Sequence, residues 1–375
     1  MKSQSAVLYQ LGAATPYAQS RPLSIEEIEV AAPGPGEVLV EVKAAGLCHS
    51  DLSLIEGTRP RPVPIVVGHE AAGIVREIGS GVGGFKPDDH VVFSYVPLCG
   101  RCAFCLSGRP ALCEPGSRAN AGGTLLGGAR RLEGKQGPLN HHMGVAGFSR
   151  YTVAAQESLI RVAPDFPLEK AALFGCAVLT GVGAVLNTAR VEAGQSVAVF
   201  GLGGVGLNAV MGAVVAGATT IVAVDVLPSK FDLATAVGAT HTVAAGEGDP
   251  AAVIRELTGG GVDVAVEAAG VPQALALAFA ATRRGGKTVA AGLPHAERTV
   301  AIPHAAMVGE ERQLLGSYMG SCIPPRDIPR FMSLHRAGRL PVDRLISGAI
   351  ALSEVNEGFD RLARGEAIRQ VITFR

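Results

Sequence analysis

Residues 196–206 read SVAVFGLGGVG, from Ser196 to Gly206, and this stretch decides how the rest of the chain is read. Ser196, Val197, Ala198, Val199 and Phe200 have the character of a buried strand. Gly201-Leu-Gly203-Gly204-Val205-Gly206 follows as a G-x-G-x-x-G, and an apolar helical run continues from Leu207 to Ala218. The first glycine allows the tight turn, the second lets backbone approach a pyrophosphate, and the third lets helix and strand pack without a Cβ between them. The helix N-terminus then offers free N–H groups and a positive dipole end to phosphates. The strand–turn–helix setting turns a weak motif into a prediction of a dinucleotide site at Gly201, Gly203, Gly204, Val205 and Gly206.

Downstream of this unit, strand-like and helix-like runs alternate. Strands are expected at Ile221–Asp225, His241–Val243, Val262–Glu267, Lys287–Ala291 and Gln313–Ser317. Helices are expected over Ser229–Val237, Pro250–Leu257 and Pro272–Arg283. Six strands joined by helices predict an α/β, doubly wound parallel sheet. Asp225 ends the second of these strands, nineteen positions after Gly206. An acid at about that spacing binds the adenosine ribose hydroxyls. A carboxylate there repels a 2′-phosphate and Val226 supplies no cation, so the cofactor expected is NAD rather than NADP.

Upstream, residues 1–175 hold short β-like runs with Gly and Pro between them, such as Val38–Lys43, Ala72–Ile78, His90–Phe93 and Tyr151–Ala154. Short strands with frequent turns predict a barrel-like or sandwich domain. Gly116–Gly144 shows little periodicity and reads as a long surface segment. The tail from about Cys322 leaves the alternating pattern. It has a helix near Ile328–Ala337 and a strand-like end at Arg369–Phe374, and is expected to return to the first domain. The division expected is 1–178, 179–321 and 322–375.

The 33 basic residues balance the 33 acidic ones, which argues against a chain-wide nucleic-acid or membrane-surface role. Met1–Gly12 lacks a secretory leader pattern, and no run approaches the roughly 18 apolar residues of a membrane span. The chain therefore reads as cytoplasmic, where seven cysteines point to metal or catalysis rather than disulfides.

Cys99, Cys102, Cys105 and Cys113 stand as C-x2-C-x2-C-x7-C. Four thiolates this close in sequence can surround one tetrahedral ion and leave it no open position, which makes a structural site. Cys48, His69 and Cys176 are too far apart for spacing to join them, and each taken alone also reads as a packed cysteine or a satisfied core histidine.

Gly46-Leu-Cys48-His49-Ser50-Asp51, Gly68-His69-Glu70-Ala-Ala-Gly73, the four-cysteine lobe, Gly175-Cys176, and Gly201–Gly206 followed by Asp225 run in one order along the whole chain. In this the sequence resembles the zinc-dependent medium-chain alcohol dehydrogenases, in the long-chain branch with the liver-type and glutathione-dependent formaldehyde dehydrogenases. The resemblance implies a GroES-like β-barrel catalytic domain beside the Rossmann sheet. It implies that Cys48, His69 and Cys176 bind a catalytic zinc, that Glu70 sits beside the metal, and that Asp51 orients the histidine ligand. It assigns Ser50 to the alcohol proton, although a helix cap fits Ser50 as well, and Ser53 stands where some relatives continue the relay with a histidine. His49 and Arg369 match positions near the cofactor pyrophosphate, and Lys230 is placed for the adenosine ribose. Tyr95 and the region around Thr180 are expected at the substrate pocket, and His304 near the cofactor. Cys322 receives no role.

The implied reaction is reversible hydride transfer between NAD and a primary or secondary alcohol, aliphatic or aromatic, with two zinc ions per subunit. Glutathione-type relatives carry acidic residues just after the segment matching Gly57, where this chain has Thr58-Arg59-Pro60-Arg61. That weakens a glutathione-adduct substrate, with mycothiol or another thiol adduct as a further alternative. A non-catalytic nucleotide-binding protein on the same fold is the competing class, and the full Cys48, His69, Cys176 set argues against it. The partners expected are a small-molecule alcohol or aldehyde and a second copy of the chain, a homodimer joined near Gln313–Ser317, with neither nucleic acid nor membrane.

Overall fold

The computed structural model describes residues 1–374, and these form two compact units. The first comprises Met1–Cys176, Ile323–Met332 and the chain from Leu345 onward, and the second comprises Ala177–Cys322 and Ser333–Arg344. The break at Cys176 lies two residues before the expected 178. Ser333–Arg344 groups with the second unit, whereas the sequence had placed all of 322–375 with the first. The side chain of Arg344 explains part of this, because its Nη1 donates to the Ala236 carbonyl at the end of the helix Phe231–Ala236.

In the first unit the central strand is Glu37–Gly46, which the alternating VLVEVK run foreshadowed. Val38, Val40 and Val42 are fully buried and Leu39 nearly so, so both faces of the strand are covered. Along one edge it pairs antiparallel with Glu70–Ile78. Along the other it pairs with Tyr151–Ala155 over its first half and with Arg369–Thr373 over its last residues. Register shifts between Leu39 and Val40 and between Val42 and Ala44 bend it, as bulges do. The sheet continues outward through His90–Phe93 and Leu159–Val162 on one side and Ile346–Ile350 on the other.

A second set of strands closes into a small barrel: Lys2–Leu8, Leu23–Val30, Leu132–Gly134, Gly137–His141 and Ile65–Val66. This corrects the reading of Gly116–Gly144 as a surface segment. The segment begins within the helix Glu114–Ala121 and then supplies a hairpin that closes the barrel. Leu125, Leu132 and Leu139 lie in the barrel core with Val7, Ile28 and Val66. Strands of three and five residues are too short to show alternation, and the turn between them rests on Gly137 at φ +106°. The arginines that made this stretch look solvated are bonded: Arg131 Nε lies 2.6 Å from Glu37 and Arg130 Nε 2.8 Å from Asn140.

The second unit is a six-stranded parallel sheet. Counted in chain order from Ser196–Phe200, its strands lie in the order 3-2-1-4-5-6. Ser196–Phe200 is therefore flanked on both sides, which is why the four residues after Ser196 are apolar in succession rather than alternating. The core between sheet and helices includes Ala198, Phe200, Val222, Val224, Ile254 and Ala265. The helix expected to reach Arg283 ends at Ala281, because Thr282 already belongs to the next strand. Among the described residues no single helix is long and apolar enough to cross a membrane.

Candidate functional site

Ladder register assembles the first site. Gly46 stands opposite Glu70 in one antiparallel pair and opposite Val371 in the other. Cys48, two residues past Gly46, His69, just before Glu70, and Arg369, two before Val371, therefore emerge at one end of the sheet. Gly175 delivers Cys176 to the same place; a Cβ on it would run into the Phe93 carbonyl oxygen. Gly68, at φ +93°, has the Phe148 ring 2.5 Å from where a Cβ would stand, so only glycine turns the chain into His69. The result is a buried cluster in which one ligand atom each from Cys48, His69, Glu70 and Cys176 lie within 4.8 Å of one another.

Asp51 organises the cluster from behind. It is fully buried in the short helix His49–Ile55, whose N-cap residue is Cys48. Its Oδ2 accepts the Cys48 N–H at 3.2 Å, and its Oδ1 lies 2.8 Å from His69 Nδ1. A neutral His69 that donates from Nδ1 presents the Nε2 lone pair to a metal. The Tyr95 ring stands edge-on to His69 with centroids 5.6 Å apart, and the His142 ring does the same from another side. His142 Nδ1 is also 3.0 Å from Asp51 Oδ1. Sequence reasoning missed His142, because no spacing rule ties it to Asp51. Its place follows from the parallel pairing of Ile65–Val66 with Asn140–His141, which runs both strands toward the same end.

The charges in this cluster are strongly coupled. A hydrogen bond from Cys176, opposed by burial and assisted by Arg369 and His69, holds Cys48 well below the usual thiol range, while the same bond and burial push Cys176 well above it. A divalent ion bound here would supply the charge that ionises both sulfurs, since thiolates are the form that ligates metal. Burial opposes protonation of His69, but the Asp51 carboxylate more than offsets it. Burial pushes Glu70 up to about 8 against the pull of Arg369.

Arg369 stands directly behind this cluster. Its side chain is 3% exposed, its Nη1 donates to the Leu47 carbonyl at 3.0 Å, and the same nitrogen lies 3.4 Å from Glu70 Oε1. Its observed bonds tie it to the buried cluster.

The lobe is built differently. The sulfurs of Cys99, Cys102, Cys105 and Cys113 lie within 4.8 Å of one another, with Cys99 and Cys105 4.0 Å apart. Zinc–sulfur bonds of about 2.3 Å in a tetrahedron place sulfurs roughly 3.8 Å apart, so the lobe fits one ion. Backbone N–H groups of Cys99, Cys102, Cys105 and Gly116 point at sulfurs over 3.3–3.5 Å. A backbone hydrogen bond from Cys105 leads the effects that bring Cys102 down to about 6. All seven cysteines are free of disulfides.

In the second unit Gly201 has φ +91°, and a Cβ there would meet Ala269 N at 2.7 Å. A Cβ on Gly206 would collide with the Gly201 carbonyl oxygen, while the space beside Gly203 is open. Gly203 is the N-cap of the helix Gly204–Ala216, with Val205 in its first turn. Asp225 ends its strand beside this loop: its Oδ2 accepts the Leu202 N–H at 2.6 Å and its Oδ1 the Leu227 N–H at 2.9 Å. Lys230 Nζ is 3.1 Å from Asp225 Oδ2. The residue expected at the ribose is thus already paired with the acid expected there.

The remaining expected positions are more scattered. Ser50 is half-buried and His49 exposed at the start of their helix, and since Cys48 is the N-cap, Ser50 does not cap it. Thr180 is buried in the helix Ala177–Gly183, and His304 is exposed at the start of His304–Gly309. Cys322 is a packed thiol, its Sγ 3.3 Å from the Leu179 carbonyl oxygen.

Comparison with known proteins gives a consistent picture. Residues 34–165 match the alcohol dehydrogenase GroES-like domain, and residues 204–336 match the zinc-binding dehydrogenase family. The chain is 39% identical over 369 residues to alcohol dehydrogenase class-3 of Drosophila melanogaster, covering 96% of this chain and 97% of that one. It is 40% identical over 377 residues to the NDMA-dependent alcohol dehydrogenase of Amycolatopsis methanolica, covering 99% of each. Among solved structures, benzyl alcohol dehydrogenase from Acinetobacter calcoaceticus superimposes with a TM-score of 0.93 at 32% identity over 100% of both chains.

Proposed function

The chain belongs to the zinc-dependent medium-chain alcohol dehydrogenase family, and from that premise we propose that this oxidoreductase transfers hydride between NAD and a primary or secondary alcohol. The observation that carries the reading is the convergence of Cys48, His69, Glu70 and Cys176 ligand atoms within 4.8 Å in a buried cluster. Cys48, His69 and Cys176 would hold a catalytic zinc, three protein ligands where a structural site has four. When bound, zinc supplies Lewis acidity that eases loss of the alcohol proton and, in reverse, polarises a carbonyl. Asp51 fixes the tautomer and orientation of His69. Ser50 takes the alcohol proton through its hydroxyl, and water completes the exit because Ser53 replaces the histidine of some relatives. Cys99, Cys102, Cys105 and Cys113 hold a structural zinc.

NAD is favoured over NADP because Asp225 sets a carboxylate where a 2′-phosphate would stand. Gly201, Gly203, Gly204, Val205 and Gly206 form its phosphate loop. His49 and Arg369 are assigned to the pyrophosphate and Lys230 to the ribose on the family resemblance. The substrate is an alcohol with an aliphatic or aromatic tail; Arg59 and Arg61 weigh against a glutathione adduct. A homodimer through Gln313–Gly316 is supported by that strand's exposure, with Leu314 36% exposed. A cytoplasmic setting is supported by the free thiols.

The test is a panel of benzyl alcohol, hexanol and S-hydroxymethylglutathione with NAD or NADP, followed through absorbance of the reduced nicotinamide. Benzyl alcohol or hexanol should lead, with NAD ahead of NADP by about tenfold or more in kcat/KM, some 1.4 kcal/mol. A lead for the thiol adduct redirects the substrate class. Absence of turnover together with one zinc per chain overturns the reading in favour of a non-catalytic nucleotide-binding protein.

A further inference from the structure

Glu267 is a buried carboxylate that the proposed zinc chemistry leaves without a task. It is 2% exposed and ends the fourth strand of the parallel sheet, Val262–Glu267. Its ladder partners are Phe200, which ends the first strand, and Ala290, which ends the fifth. The order 3-2-1-4-5-6 reverses between the first and fourth strands. In open α/β sheets a crevice lies beyond the carboxyl ends of the strands at such a reversal, and a dinucleotide binds across it. Glu267 stands at that point. Its carboxylate folds back on the chain that follows: Oε1 accepts the Ala269 N–H at 2.8 Å and the Gly270 N–H at 2.5 Å. Its main-chain carbonyl accepts the Ala291 and Gly292 N–H groups at 2.8 and 2.9 Å. The two turns fit tightly, since a Cβ on Gly292 would stand 2.2 Å from Gly270 N and 2.8 Å from Glu267 Oε2. Ala269 also closes against the glycine turn, its N 2.7 Å from where a Cβ on Gly201 would stand. Burial raises the carboxyl pKa, and the N–H groups of Gly270 and Ala269 pull it back. An apolar residue would end this strand at less cost. What the carboxylate adds is a fixed path for residues 268–270.

We propose that Glu267 is a positioning residue for the cofactor, holding residues 268–270 and 291–292 as the lip of the crevice that receives the nicotinamide half of NAD. Such a sheet is built from two mononucleotide-binding halves. Asp225 ends the second strand and belongs to the half made by the first three strands, which takes the adenosine. Glu267 ends the strand that begins the other half. Loss of its oxygens frees the Ala269 and Gly270 N–H groups to turn to water, and the lip loses its shape while Asp225 and the glycine turn keep theirs. The inference rests on the reading of this unit as an NAD site.

The test is calorimetric titration of the full-length, zinc-loaded protein with NAD and, separately, with AMP, which carries only the adenosine half. Glu267→Leu fills a similar volume but removes both oxygens. It should weaken NAD binding about tenfold, the scale of a lost hydrogen bond to a charged group, with AMP affinity within about twofold of wild type. Glu267→Gln keeps a carbonyl oxygen that can stand at Oε1 and should bind NAD within about threefold of wild type. Glu267→Ala, with the same expected split between NAD and AMP, replaces the Leu protein if that variant does not fold. Wild-type NAD affinity in Glu267→Leu overturns the inference, as does an equal loss in the Leu and Gln proteins. An equal loss of NAD and AMP also overturns it, because Glu267 would then support the whole unit rather than one lip. A wild-type protein that binds neither nucleotide overturns the NAD reading itself, and the role of Glu267 with it.

Discussion

The two cysteine clusters of this chain answer the same chemical problem by opposite means. The lobe draws its four sulfurs from fifteen consecutive residues, Cys99–Cys113, and steadies them with its own backbone N–H groups; three of its four cysteines are half-exposed. The buried cluster draws Cys48, His69 and Cys176 from across 129 residues and relies on strand register to bring them together. The lobe's four sulfurs complete a tetrahedron. The buried cluster offers two sulfurs and an imidazole, with a raised Glu70 and an arginine behind them, and on the proposed reading three of these would hold an ion that keeps a position for a reacting oxygen. Local construction suits permanence, while construction from distant segments lets the surrounding sheet set the direction of each side chain.

The largest effect should come from the buried cluster. Cys176→Ala should lower turnover to below about one-thousandth, equivalent to about 4 kcal/mol of barrier, while metal analysis still finds the lobe ion. Retained turnover would erase the functional difference between the clusters. Ser50→Ala should reduce kcat about 100-fold, the scale of a lost general base, with NAD affinity measured by titration near wild type. Equal loss of both would make Ser50 a packing residue.

The lobe should respond in stability instead. Cys102→Ser should lose one ion and about 2 kcal/mol, a fall in melting temperature of about 4–8 °C, with kcat per folded molecule little changed. Full zinc content in that variant would remove the lobe from the comparison.

A smaller effect separates the clusters by acid sensitivity. His141 is buried beside His142, and burial, assisted by Arg130 and Arg131, pulls its pKa down to about 3. The unfolded chain binds this proton near pH 6.5 and the folded chain does not. Stability is therefore full above pH 6.5 and falls by about 1.4 kcal/mol per pH unit as pH drops toward 3. His141→Gln should flatten the urea-midpoint profile between pH 6.5 and 5. An unchanged profile would show that the barrel strand leading to the buried cluster is no weak point.

Legibility followed the range of the forces involved. The strand–glycine–helix unit and the four-cysteine spacing are local patterns, and both appear in the structure near their expected bounds. Gly116–Gly144 was opaque because its hairpin is too short to show a period and Arg131 finds its partner far away in sequence. The place of Arg369 beside Glu70 was not legible, because a sequence shows its charge but not its burial. His142 carried no motif at all.

The sequence by itself settled the pieces: a parallel α/β unit with a phosphate-type glycine turn, an acid at the end of its second strand, and a four-sulfur lobe. Those rest on residue type and on spacings short enough for the chain to enforce. Only the tertiary structure decided that Gly46 faces both Glu70 and Val371, so that Cys48, His69, Cys176 and Arg369 share one buried point and Asp51 gathers two histidines. A one-residue slip in a ladder reverses which face every side chain takes. That alignment is set by packing along the whole sheet, and no local stretch of sequence contains it.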